Sequence, residues 1–95
     1  MPLAVSVTPS FARVVKKLHA RDKQVVDQAV RQIADHPLSG EEKKGDLLGA
    51  FVHKFKLNHQ ETLLSYNLRP DKQAPKEVVL LALGPHENFY TQLKR

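Results

Sequence analysis

The sequence predicts an α+β fold: an N-terminal strand and a helical hairpin packed on a small, mainly antiparallel four-stranded sheet, with a short C-terminal helix. Three observations predict it. Apolar residues recur at helical spacing between Pro9 and His36, strict alternation runs through Phe51–Leu57, and Val78–Leu83 is an unbroken apolar run.

Leu3 to Val7 alternates around Val5 as the first strand. Thr8 then supplies an N-cap and Pro9 suits the first helical position, where its missing N–H would have no partner in any case. Phe11, Val14, Val15 and Leu18 form one apolar face, with Arg13, Lys16 and Lys17 turned outward. His19-Ala20-Arg21-Asp22 reads as a hinge. The second helix carries Val26, Ala29, Val30 and Ile33 at the same spacing and stops before Pro37, whose ring disfavours helical geometry at His36.

Pro37 to Gly49, with three glycines and the charge cluster Glu41-Glu42-Lys43-Lys44, reads as an exposed loop. In the strand Phe51–Leu57, Phe51, His53, Phe55 and Leu57 point one way and Val52, Lys54 and Lys56 the other. Asn58-His59-Gln60 is the turn and Glu61–Leu68 the returning strand of a hairpin. Arg69 to Lys76, with Pro70 and Pro75, is a second loop. Val78–Leu83 lacks any polar residue, as expected of a central strand covered on both faces, and Gly84-Pro85 is expected to break it. Phe89 and Leu93, four apart, suit a short helix over Glu87–Lys94.

A chain of 95 residues makes one domain, spanning residues 1–95. No apolar run approaches the roughly 18 residues needed to span a bilayer, and the N-terminus has neither the basic start nor the apolar length of a signal peptide. A cytoplasmic location is therefore expected. With no cysteine there is no disulfide framework, thiolate nucleophile or Cys-based zinc site. The five histidines lack the spacing of a metal site, and phosphate-loop and dinucleotide glycine motifs are absent, so neither metal nor cofactor is expected. Ser65, between Leu64 and Tyr66, has no nucleophile-elbow glycines. A net charge of +5 places polyanions first among candidate partners.

Two segments carry the chemistry. Lys54 and Lys56 leave the same face of a strand about 7 Å apart, a ready phosphate clamp or else two ordinary solvated lysines. His86 follows the apolar strand at once, and histidine, with an unperturbed pKa of roughly 6.5, exchanges a proton near neutrality. Tyr90 shares a face with His86 if a helix starts there. RNA cleavage by the ribose 2′-hydroxyl needs a proton acceptor, cations for the charge on phosphorus and an acid for the departing oxygen. Lys54, Lys56, His86 and Tyr90 offer that set. His53 reads as a sheet-packing histidine, His59 as an exposed turn residue able to reach a ligand over the sheet, and His19 and His36 as helix-end residues.

These residues, in this order, resemble the RelE/ParE superfamily of toxins from bacterial type II toxin–antitoxin systems. The opening strand with Thr8-Pro9-Ser10-Phe11, the run Asp35-His36-Pro37-Leu38-Ser39-Gly40, the pair Lys54-Phe55-Lys56-Leu57 followed by Tyr66, and Leu83-Gly84-Pro85-His86-Glu87 followed by Tyr90 are similar to successive parts of RelE. The resemblance implies a RelE-like fold in which Lys54 and Lys56 act on the scissile phosphate. It makes His86 the general acid, in place of RelE's arginine and similar to the YafQ and YoeB branches, with Tyr90 just after. RelE has a further arginine on the next strand, where Thr62-Leu63-Leu64 supplies no cation; His59 or Arg69 is expected to bind substrate instead. The implied function is a metal-free endoribonuclease that cuts mRNA on the ribosome and is silenced by a cognate antitoxin protein. The alternatives are a ParE-like DNA gyrase poison without nuclease activity and a non-catalytic basic binding module.

Overall fold

Thr8 starts the first helix as its sequence position predicts. Its Oγ1 accepts the Phe11 N–H at 3.3 Å and donates to the Leu81 carbonyl at 2.9 Å, so one hydroxyl both caps the helix and fastens it to the sheet. The computed structural model describes residues 3–42 and 50–85. Within them the order is β1 (Ala4–Val7), α1 (Pro9–Lys16), α2 (Ala20–Asp35), β2 (Glu41–Glu42), β3 (Phe51–Leu57), β4 (Gln60–Arg69) and β5 (Glu77–Pro85). The helix expected over Glu87–Lys94 lies outside the described residues.

The sheet runs β1-β5-β4-β3-β2. Only β1–β5 is parallel; the other three pairs are antiparallel. A mainly antiparallel sheet was expected with four strands, and the fifth is Glu41–Glu42, which pairs with Val52 and Phe51 at the edge. Two residues are too few to leave a periodic signal, so a sequence pattern cannot separate them from loop.

The helices cover one sheet face. Phe11, Val26 and Ile33 meet Phe51, Leu64, Tyr66, Leu68, Val78, Leu80 and Leu83 in one buried cluster, with Val15, Leu18, Val30 and Phe55 at its margin. Val14 shares the apolar spacing of α1 but is exposed. The chain turns at Lys17–His19, earlier than the expected hinge: Lys17 and Leu18 donate back to Val14 and Val15, and His19 is the N-cap of α2. Ala20, Arg21 and Asp22 thus form the first turn of that helix. His19 stands at its N-terminal end, where the dipole gives a protonated imidazole no benefit.

Several boundaries differ from expectation. Leu57 pairs with Gln60, so the turn is Asn58-His59 alone and Gln60 belongs to β4. β5 continues through Gly84 and Pro85, which pair with Leu63 and Thr62. Among the described residues no strand pairs with β5 past Leu80 on its far side, and an edge position tolerates a residue without a donor. Arg69, expected to open the second loop, is the last residue of β4, and the loop over 70–76 is tied down: Asp71 Oδ1 accepts from the N–H of Gln73 and Ala74, and Lys72 Nζ reaches both Glu42 carboxylate oxygens at 2.9 Å.

Tyr66 anchors the chain between α2 and β2. Fully buried and stacked on Phe51 with ring centroids 5.4 Å apart, it donates its hydroxyl to the Pro37 carbonyl at 2.7 Å and accepts the Gly40 N–H at 3.1 Å. Burial pushes its phenol above the usual value, an effect the Gly40 N–H opposes. No helix among the described residues is long and apolar enough to cross a membrane.

Candidate active site

Strand β3 alternates because one face meets the helices and the other does not. Phe51 and Phe55 turn to the core, with His53 stacked 6.0 Å from Phe55 on the same side. Burial pushes the His53 imidazole below its usual value. Lys54 and Lys56 leave the opposite face, both exposed, and neither forms an ion pair among the described residues. Across the ladder Lys54 lies opposite Leu63 and Lys56 opposite Glu61. On the same face, Val52 and Leu63 are buried in a second apolar cluster beside Ala82. The lysines therefore rise from a firm floor.

The register fixes what lies near them. Phe55 pairs with Thr62 and Thr62 with Pro85, so the three residues form one row across the sheet. Two strand spacings make that row roughly 10 Å wide. Pro85, the last described residue of β5, therefore stands level with the strand segment that carries Lys54 and Lys56. His86 and Tyr90 lie outside the described residues.

Of the remaining candidates, the structure brings one to the lysines and leaves the other apart. His59 is in the two-residue hairpin turn and shares a cleft of about 460 Å³ with Lys56 and Arg21. Arg69 is six positions along β4 from Leu63, the partner of Lys54, and so roughly 20 Å away by strand rise. It pairs with Glu77 at the other end of the sheet. Arg21 was missed because it sits in a segment read as a hinge, far from Lys56 in sequence; only the packing of α2 beside β3 joins them. Ser65 is fully buried with no hydrogen-bond partner for its hydroxyl, which leaves it no access to a substrate.

A larger cleft of about 700 Å³ lies at the other end of β3, lined among others by Asp35, His36, Glu41, His53 and Lys54. Its two carboxylates make it the poorer site for a polyanion. Among the described residues no group of three or more His, Cys, Asp or Glu side chains is placed to hold a metal ion. What the β3 face can do chemically is hold a phosphodiester between two cations, beside the point where β5 ends.

Residues 5–94 match a family model described as the ParE-like toxin of type II bacterial toxin–antitoxin systems. Among solved structures, the chain is similar to one in the RelBE2 toxin–antitoxin complex of Mycobacterium tuberculosis. The TM-score is 0.71 and the identity 25%, over 90% of this chain and all of that one. A free-state mutant of the E. coli toxin RelE gives a TM-score of 0.71 at 14% identity, covering 99% of this chain and 94% of that one. The archaeal RelE–RelB complex of Pyrococcus horikoshii gives 0.57 at 15% identity, over 90% and 96%. The last two establish likeness of fold alone. Comparison with curated protein sequences finds no match.

Proposed function

The chain belongs to the ParE-like toxin family of type II bacterial toxin–antitoxin systems, and from that premise we propose that it is an endoribonuclease that cuts mRNA on the ribosome. The observation that carries this reading is the pair of exposed lysines on β3, level with the end of β5. A gyrase poison that works by binding has no evident need for a phosphate clamp beside a proton donor.

In the proposed reaction the ribose 2′-oxygen attacks the adjacent phosphorus and the bond from phosphorus to the 5′-oxygen breaks. The products are a 2′,3′-cyclic phosphate and a free 5′-hydroxyl. Lys54 and Lys56 hold the non-bridging oxygens, whose charge grows as phosphorus becomes five-coordinate. His86, protonated, gives its proton to the departing 5′-oxygen, while the 2′ proton passes to solvent or a neighbouring base. Tyr90 orients the phosphate. No step calls for a metal or a cofactor.

A cognate antitoxin is the expected partner; the M. tuberculosis neighbour is itself part of a toxin–antitoxin complex. A net charge of +5 suits ribosomal RNA and an acidic antitoxin segment alike. Expression in cells with transcript ends and DNA ends mapped in parallel separates the readings. New mRNA ends that vanish in His86→Ala support the nuclease, whereas intact mRNA with gyrase-linked DNA breaks refutes it.

A further inference from the structure

We propose that the cleft formed by Arg21, Lys56 and His59 is a phosphate subsite for single-stranded RNA, leading the strand from the β3 lysines around the hairpin tip onto α2. The proposal rests on the nuclease reading and adds a residue, Arg21, from the helical layer. All three side chains are exposed and line one cleft of about 460 Å³. None of the three forms an ion pair among the described residues.

The cleft also holds an acid, and the structure disposes of it. Asp22 is only 7% exposed and its Oδ2 accepts from Asn58 Nδ2 at 3.0 Å. That bond ties the hairpin tip to the first turn of α2 and so keeps Lys56 and His59 beside Arg21. The cleft is thus lined by an arginine, a lysine and a histidine, with the one carboxylate in its lining largely withdrawn.

The turn itself points the same way. Asn58 and His59 have φ of 53° and 64°, the left-handed geometry of a two-residue hairpin loop. Asparagine adopts it readily, but the second position favours glycine, and a histidine there is held against its backbone preference. A strained residue in a cationic cleft is a reason to look for a use of its side chain. RNA fits better than an acidic peptide because Lys56 belongs both to this cleft and to the row with Lys54. A phosphodiester chain carries charge at every link and can occupy both, while the flat faces of Arg21 and His59 suit unstacked bases.

The test uses the full chain and a short fluorescent single-stranded RNA with 2′-O-methyl riboses, which cannot be cut, and reads anisotropy across a salt series. Arg21→Gln is expected to lower the slope of log K against log salt by about 0.7, the value of one phosphate contact on a single strand. His59→Gly is expected to weaken binding about threefold while raising the melting midpoint by about 4 °C, because the turn is relieved. A scaffold role would predict weaker binding only with lower stability. If Lys54→Gln weakens binding while Arg21→Gln and His59→Gly leave it unchanged, the cleft is not a subsite and the nuclease reading stands. Failure of the wild-type chain to bind the RNA overturns the subsite, whereas the ribosome-dependent nuclease reading fails only if mRNA on ribosomes stays uncut. If an oligoglutamate peptide binds and loses affinity in Arg21→Gln while RNA does not, the cleft serves an acidic peptide and the proposal is wrong.

Discussion

Removing the Tyr66 hydroxyl isolates the contact that fixes the chain between α2 and β2. Tyr66→Phe keeps the ring on Phe51 but strips the Pro37 carbonyl and the Gly40 N–H of their partner. A buried polar group left unpaired costs about 1–3 kcal/mol. Both groups are only partly buried, so water recovers some of the loss and about 2 kcal/mol is expected for the pair. For a chain of this size that lowers the melting midpoint by roughly 10 °C. Gly40 supplies the second arm: a Cβ there would stand 2.5 Å from the Tyr66 oxygen and 3.1 Å from two ring carbons. The stacked ring cannot yield cheaply, so Gly40→Ala is expected to cost about 1–3 kcal/mol. In the double variant the closest clashing atom is gone, and the combined cost should fall short of the sum by about 1 kcal/mol or more. Urea unfolding of the four proteins measures this cycle. Strict additivity would refute the contact. Tyr66→Phe should cleave RNA at the wild-type rate per folded molecule, since its side chain faces the core and not the lysines.

Three further outcomes follow from the same geometry. Thr8→Ala removes a cap and the bond to Leu81, and should cost about 1–2 kcal/mol in urea unfolding. His53, held below its usual pKa by burial, should make stability depend on pH. The unfolded chain takes up the proton first, so the stability His53 contributes is complete above about pH 6.5 and is lost as pH falls toward its lower folded value; melting curves of His53→Gln should be flatter over that window than those of the wild type. Lys72→Ala, by contrast, breaks an ion pair that is largely open to solvent, and should change stability by less than about 1 kcal/mol.

What the sequence revealed and what it hid divide along the range of the interactions. The N-cap at Thr8, the core positions Phe11, Val26, Ala29 and Ile33, and the outward lysines of β3 were legible because each follows from neighbours a few residues away. Helix and strand periods report which face is buried, and Lys54 and Lys56 needed nothing more. The edge strand Glu41–Glu42 was hidden because its only signature is a partner across the sheet. Gly84-Pro85 misled for a related reason: a proline ends a ladder only where a neighbour awaits its N–H, and the strand order decides that. Arg21 could not be found from sequence at all. It becomes a candidate only when Asn58 binds Asp22 and closes the hairpin tip against α2. Arg69 was proposed from its charge, and the register sets it at the far end of β4.

Whether the exposed β3 lysines and His86 together break RNA is decided in a purified translation reaction. With a defined mRNA stalled on ribosomes, primer extension reads every new end and its time course. Discrete cuts are expected from the wild-type chain, at least tenfold slower with Lys54→Ala or Lys56→Ala and undetectable with His86→Ala, although all three variants remain folded; tenfold is about 1.4 kcal/mol of barrier, a modest share for one oriented cation. Uncut mRNA with the active wild-type chain, or cleavage unaffected by all three substitutions, would contradict that expectation.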